Sequence, residues 1–131
     1  MEIKRKEFAF KGKSLEDLKK LSIREFAPYI KSRERRTLLR QFQEIEQFIA
    51  RANKKISKNK PVKTHLRNII VVPKLVGMKV QVYNGKKYIP FDITEEMLGH
   101  RFGEFTPTRE RVKHSSAGVG ATKGSKFKSK K

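Results

Sequence analysis

The dipeptide Asn84-Gly85 stands between two alternating runs, residues 78–83 and 86–91. Asn-Gly is the pair that best tolerates the positive φ angles of a type I′ turn, whose twist matches that of the strands it joins. The segment therefore predicts a β-hairpin with a two-residue turn. Such a turn fixes the register: Tyr83 faces Lys86, Val82 faces Lys87, Gln81 faces Tyr88, Val80 faces Ile89 and Met78 faces Phe91. Side chains alternate across a strand, so two faces separate. Met78, Val80, Val82, Ile89 and Phe91 make an apolar side, and Lys79, Gln81, Tyr83, Lys86 and Tyr88 make a basic side carrying two aromatic rings.

An isolated hairpin is marginal in water and needs further elements on its apolar side. The run Ile69-Ile70-Val71-Val72 is β-branched throughout and reads as a buried strand ended by Pro73. Residues 33–52 carry Leu38, Phe42, Ile45, Ile49 and Ala52 on one stripe at helical spacing, widened by Leu39 and Phe48. One long helix is predicted, with Ser32 as its N-cap and Asn53 as its stop. Upstream, Ser14 precedes Asp17 by three residues and Ser22 precedes Glu25 likewise, the spacing of reciprocal caps, so two short helices are read there. Between the long helix and the first strand lies a basic connector, interrupted by Pro61. After the hairpin, Thr94 offers a cap for a short helical turn and Gly99 suits its end.

The last 23 residues hold eight Lys or Arg and one Glu, with Val112, Val119 and Phe127 as their large apolar side chains. Such a segment cannot bury enough surface to offset its ordering entropy and is expected to be disordered when free. The predicted architecture is α+β: N-terminal helices packed on a small three-stranded sheet that contains the hairpin, with a disordered basic C-terminal tail. Residues 1–32 form an extension with two short helices, 33–108 an α+β core and 109–131 the tail.

Charge narrows the function. Lys and Arg number 33 against 13 Asp and Glu in 131 residues, a formal net charge of +20. Self-repulsion of that size calls for a polyanionic partner. A membrane is excluded as that partner, because the longest aliphatic run, residues 69–72, is four residues, far below the roughly 20 that span a bilayer. No apolar stretch of signal-peptide length follows the charged N-terminus, so export is not expected. With no Cys there are no disulfides, thiolate nucleophiles or thiolate zinc sites.

Three basic groups are candidates for RNA contact. The first is Arg33, Arg35, Arg36 and Arg40 on the long helix. These form either a solvated face partly offset by Glu34 or a face for a polyanion; Arg near a helix N-terminus opposes the dipole, so an outside partner makes it favourable there. The second is the connector, with Lys54, Lys55, Lys58, Lys60, Lys63 and Arg67 and no acidic residue. The third is the hairpin's basic side. There Lys79, Tyr83, Lys86 and Tyr88 combine phosphate charge with ring faces, as single-stranded or irregular RNA requires.

No catalytic constellation is found. His65, His100 and His114 lie far apart without a carboxylate or second His at ligand spacing, so no metal site is expected. Glu95 and Glu96 read as first-turn helix residues. The glycine-rich stretch 118–126 lacks the spacing and the flanking strand and helix of a nucleotide-binding loop. An architectural DNA-binding protein would need a major-groove helix or a minor-groove wedge, and neither is evident. An RNA-modifying enzyme would need an acid–base or metal set, which is also missing.

At Asn84-Gly85-Lys86-Lys87, and at Gly99-His100-Arg101-Phe102-Gly103-Glu104-Phe105-Thr106-Pro107-Thr108-Arg109, the chain resembles the family of small-subunit ribosomal protein nineteen. The spacing between these segments fits, as does the preceding Ile69-Ile70-Val71-Val72-Pro73 with Gly77 beyond it. The resemblance covers residues 60–114 strongly and the N-terminal helices more loosely, in the manner of the archaeal and eukaryotic branch, whose eukaryotic member is called protein fifteen. Residues 8–12 depart from the eukaryotic pattern, which points to the archaeal type.

The resemblance implies a cytoplasmic, non-enzymatic ribosomal protein without cofactors. It would sit in the head of the small subunit, bound to ribosomal RNA beside ribosomal protein thirteen, with its tail towards the tRNA sites and its outer edge towards the large subunit. It also implies that Asn84, Gly85, Lys86, Lys87, His100, Arg101, Gly103, Glu104, Phe105, Thr106, Pro107 and Arg109 lie at or near the RNA. Arg111 and Lys113 extend this basic set into the tail. Gly85 and Gly103 are expected to act through backbone shape.

Overall fold

The computed structural model describes residues 8–111. The N-terminal region opens with a small antiparallel hairpin, β1 (Ala9–Phe10) and β2 (Lys13–Ser14), turned by Lys11 and Gly12 at φ 48° and 79°. Helices α1 (Leu15–Lys20) and α2 (Ile23–Phe26) follow. Both serine caps form, since Ser14 Oγ accepts from Asp17 N–H and Ser22 Oγ from Glu25 N–H, each at 3.3 Å. Only the second is reciprocal: Glu25 Oε2 accepts from Ser22 N–H at 2.7 Å, whereas the Asp17 carboxylate takes the Ser14 hydroxyl instead. Leu18, Ile23 and Phe26 turn inward.

The predicted single long helix is two. Helix α3 (Ser32–Arg40) and helix α4 (Phe42–Ile56) meet at Gln41, whose backbone leaves the helical range at φ −109°, ψ 16°. The two serve different neighbours, α3 packing on the N-terminal helical region and α4 on the sheet, and one straight rod could not do both. Lys31 holds the cap position of α3 without a side-chain bond, and Ser32 is its first helical residue. Leu38, Ile45, Phe48 and Ala52 are buried as the stripe requires, while Leu39, at the break, is 44% exposed. The helix runs past Asn53 to Ile56, with Lys54 and Lys55 in its last turn, where cations suit the dipole.

The connector contains a strand that its sequence hides. β3 (Val62–Thr64) pairs parallel with β4 (Lys79–Tyr83), Val62 opposite Val80 and Thr64 opposite Val82. β4 pairs antiparallel with β5 (Tyr88–Asp92), giving the sheet order β3-β4-β5. The third strand is therefore not residues 69–72. Those four residues are buried to 1% exposure or less, yet their one ladder contact is an isolated bridge between Ile70 and Arg101. Their backbone bonds go to the 99–102 segment, with Val71 N–H donating to the His100 carbonyl at 2.8 Å and Phe102 N–H to the Ile69 carbonyl at 3.0 Å. A continuous β-branched run signals burial on every side, which here is met by core packing and not by a sheet.

The hairpin forms with a different turn. Tyr83 faces Tyr88, Val82 faces Ile89, Gln81 faces Pro90, Val80 faces Phe91 and Lys79 faces Asp92, so the predicted register is displaced by two residues. Residues 84–87 make the loop. Asn84 keeps a negative φ, and its Oδ1 instead accepts from the N–H groups of Lys86 and Lys87 at 2.9 and 2.8 Å. Its own N–H donates to the Lys87 carbonyl at 3.1 Å, and Gly85 alone takes a left-handed φ, 101°. A displacement of two preserves which face each side chain takes. Val80 and Val82 are fully buried as predicted, and Pro90, which has no N–H, sits on the edge strand.

Three-residue 3-10 turns occupy Pro73–Leu75 and Glu95–Met97, the second without a side-chain bond from Thr94. A further 3-10 turn, Phe102–Phe105, buries Phe102, whose ring meets Phe48 edge-on at 5.5 Å. Within the predicted tail only residues 109–111 are described; the rest lies outside the described residues.

Candidate nucleic-acid interface

The register of the sheet decides what its outer face presents. Val62 and Thr64 turn inward, so Lys63 and, just beyond β3, His65 turn outward beside Gln81 and Tyr83. Tyr83 and Tyr88 face each other across β4 and β5 with ring centroids 5.1 Å apart. His65 closes the group at 4.6 Å from Tyr83 and 5.4 Å from Tyr88. His65 Nε2 lies 2.7 Å from the Tyr88 hydroxyl, and Lys63 Nζ stands 5.2 Å from the Tyr88 ring centre. A patch of three rings with a cation on it results. Sequence reasoning did not select His65; its signal was the Val62/Thr64 versus Lys63/His65 alternation, too short to stand out inside a basic run.

Lys55, Lys63 and His65 also line a hollow of about 390 Å³ between α4 and β3, joined by Arg51. Lys54, Lys58 and Lys60 are exposed at the end of α4 and in the loop after it, Lys60 sharing a second hollow with Lys79. Lys86 and Lys87 are exposed at the tip of the hairpin.

Arg67 differs from the other connector cations. Its guanidinium donates to the carbonyls of Tyr83 at 2.9 Å, Gly103 at 3.1 Å and Thr106 at 2.6 Å, tying the hairpin to the Phe102–Phe105 turn. Gly103 N–H returns a bond to the Arg67 carbonyl at 2.8 Å. A Cβ on Gly103 would lie 3.2 Å from that oxygen, so this glycine permits a close approach, while Gly85 permits the turn.

Neighbouring residues of the same segment are likewise partly committed to the fold. Thr106 is fully buried with its hydroxyl on the Phe102 carbonyl, and Phe105 packs on Phe91 at 5.6 Å. Glu104 accepts from Arg101 N–H and lies 2.6 Å from His100 Nδ1, so its negative charge is held by local donors. The carbonyl of Pro107 accepts from the Asn84 amide at 3.5 Å, and Arg109 and Arg111 are exposed; Lys113 lies outside the described residues.

The arginines of α3 divide by face. Arg35 donates to the carbonyls of Ala27, Pro28 and Ile30 at 3.0–3.3 Å and so holds the end of a 3-10 turn, Ala27–Tyr29, that precedes α3. Arg33, Arg36 and Arg40, at helical spacing with Thr37, lie on one side of a hollow of about 410 Å³ that Gln41, Asn68 and Arg101 complete. Arg101 is fixed there by a bond from Nη2 to Thr37 Oγ1 at 3.1 Å.

Among the described residues, a single ion pair joins a Lys or Arg to a carboxylate, Lys20 with Asp17 at 3.8 Å. The other described Lys and Arg have no carboxylate within ion-pair distance among the described residues, so their charge stays uncompensated there.

Comparison with known proteins gives these features a family. Residues 31–114 match the family model described as ribosomal protein S19. The chain is 49% identical over 122 residues to small ribosomal subunit protein uS19 of Thermoplasma acidophilum, covering 93% of this chain and 80% of that one. It is 43% identical over 121 residues to the protein of that name from Methanococcoides burtonii, covering 92% and 87%. The Picrophilus torridus protein of that name is 43% identical over 122 residues, with 93% and 80% covered. All three relatives are archaeal, in line with the branch the N-terminal helices indicated. The chain belongs to the ribosomal protein S19 family.

Proposed function

We propose that this protein, by its family a structural component of the small ribosomal subunit and not an enzyme, works by neutralising and pinning folded ribosomal RNA. It acts in translation, within cytoplasmic ribosomes. The outer face of the sheet is the main contact: Tyr83, Tyr88 and His65 offer ring faces to unpaired bases, and Lys63, Lys79 and Lys86 supply charge for phosphates. The Asn84–Lys87 loop and the exposed Arg109 and Arg111 extend this surface. Arg67, Gly103 and Glu104 serve it indirectly by holding the hairpin, the 3-10 turn and Arg101 in place. In the subunit head, with ribosomal protein thirteen as a neighbour and the tail towards tRNA, the same surface would face the RNA while the outer edge meets the large subunit.

The observation that carries this reading is the aromatic group of His65, Tyr83 and Tyr88 on a face whose cations have no carboxylate partners among the described residues. The test is binding of the full chain to a transcript of small-subunit ribosomal RNA across a salt series. A steep slope is expected, about −0.7 to −0.9 per neutralised phosphate, together with a loss of about 1–3 kcal/mol for Tyr88→Ala. A flat salt dependence, or protein that sediments apart from small subunits in a gradient, would overturn the proposal.

A further inference from the structure

The geometry points to a discrete pocket for one RNA phosphate at the α3–α4 junction, formed by Arg33, Arg36, Arg40 and Arg101 and separate from the aromatic face of the sheet. It rests on the RNA-binding reading above and deepens it. On α3 the three arginines fall at i, i+3 and i+7, one face of the helix, opposite the side that buries Leu38. Arg101 reaches the same hollow from a segment more than sixty positions later in the chain, held by Thr37. The Thr37 hydroxyl donates in turn to the Arg33 carbonyl at 3.1 Å, so it can accept from Arg101 without conflict.

Four guanidiniums around one hollow repel each other, and no carboxylate lines it. The side chains of Arg33, Arg36 and Arg40 have no hydrogen bond or ion pair among the described residues, unlike Arg35 and Arg67, which the fold uses on carbonyls. Arg101 uses one of five N–H donors there, leaving the others for a ligand. The volume of about 410 Å³ lies within the roughly 300–1,000 Å³ of small-ligand pockets. A tetrahedral anion approached from two directions by planar, forked donors is the partner this arrangement fits.

A second, independent observation concerns a residue that lines the hollow. Gln41, at the break between the helices, has a side-chain amide oxygen, Oε1, that is buried and without any hydrogen-bond partner among the described residues. Buried acceptors left unpaired are rare because each costs free energy. This amide is restrained by no hydrogen bond at its oxygen, so turning it into the hollow breaks none and gains one from a ribose 2′-hydroxyl next to the bound phosphate.

The test is binding of the full chain to a small-subunit ribosomal RNA transcript by the parent, Arg36→Gln, Arg40→Gln and the double variant, with melting curves as the folding control. Each single change should weaken binding about tenfold, and the double change less than about thirtyfold, because losing either arm already releases the phosphate. Independent surface contacts would multiply to about a hundredfold. Phosphate ethylation should reveal one position that blocks the parent and has no effect on either variant. Multiplicative losses, or an ethylation pattern shared by parent and variants, overturn the pocket.

The parent alone gives a separate reading. On titration with adenosine 5′-monophosphate, the Nε–H resonances of Arg36, Arg40 and Arg101 should shift along one saturating curve, and adenosine should leave them unmoved. Unsaturable or unrelated curves count against the pocket. A parent that fails to bind the transcript at all sinks the RNA reading itself, whereas a parent that binds while its variants behave independently sinks only the pocket.

Discussion

Arg67 engages three main-chain carbonyls through a half-buried guanidinium, and hydrogen bonds to charged groups are worth more than neutral ones. Lysine keeps the charge but not the fork, so Arg67→Lys should lower stability by about 2–4 kcal/mol in urea denaturation, while Arg33→Lys changes it little. Glu25 gives a pH-dependent counterpart. Bonds from the Ser22 backbone and hydroxyl, aided by Lys74, hold its carboxyl below the ordinary value of 4.5. The folded form binds that proton less readily than the unfolded chain, so the contribution is present above 4.5 and is lost as pH falls through the lower folded value. The stability gap between the parent and Glu25→Ala should therefore be widest near about pH 7 and narrow towards about pH 3. A constant gap would mean that the carboxylate charge is not involved. The capping pair was legible from spacing alone because both partners lie within one turn of helix. Arg67 read as another cation for RNA because the groups that occupy it are carbonyls 16 to 39 residues away, and carbonyls leave no mark in a sequence.

For the elements, the hairpin separates pattern from register. Period-two alternation identified both faces correctly, and an even displacement left them intact, but turn chemistry was decided by a side chain. Asn84 is more favourable as an acceptor for two backbone N–H groups than as a residue at positive φ. Asn84→Ala should destabilise the protein by about 1 kcal/mol, with hairpin amide shifts changing around residues 84–87. Val80→Asp should cost about 4 kcal/mol or more, whereas Lys79→Glu combined with Lys86→Glu should stay within about 0.5 kcal/mol of the parent and weaken RNA binding. Equal losses of thermal stability would contradict the face assignment. The break at Gln41 and the strand β3 escaped prediction for related reasons: Gln is an ordinary helix residue, and three residues after a proline carry too little periodicity. Each is imposed by neighbours that come from elsewhere in the chain.

For the whole molecule, the apolar core joins residues from Leu18 to Phe102, and the uncompensated charge lies around it. Deleting residues 115–131 is expected to leave the melting temperature of the free protein nearly unchanged and still allow entry into small subunits, while altering tRNA binding; a truncated chain that no longer folds would refute this. Fold class was legible because it follows from a summed property, the burial pattern, that does not depend on any single contact. The division of the arginines was not legible, because it depends on which of them the folded backbone can reach. Arg67 spans the widest of these reaches, and what it grips is common to every amino acid. A clamp on a carbonyl oxygen is indifferent to the side chain at position 83, whereas at position 103 Arg67 itself leaves no room for a Cβ. The frame therefore sets a demand of size at position 103 and none of chemistry at position 83. A substitution of the Tyr83 side chain thus leaves the joint beneath it closed.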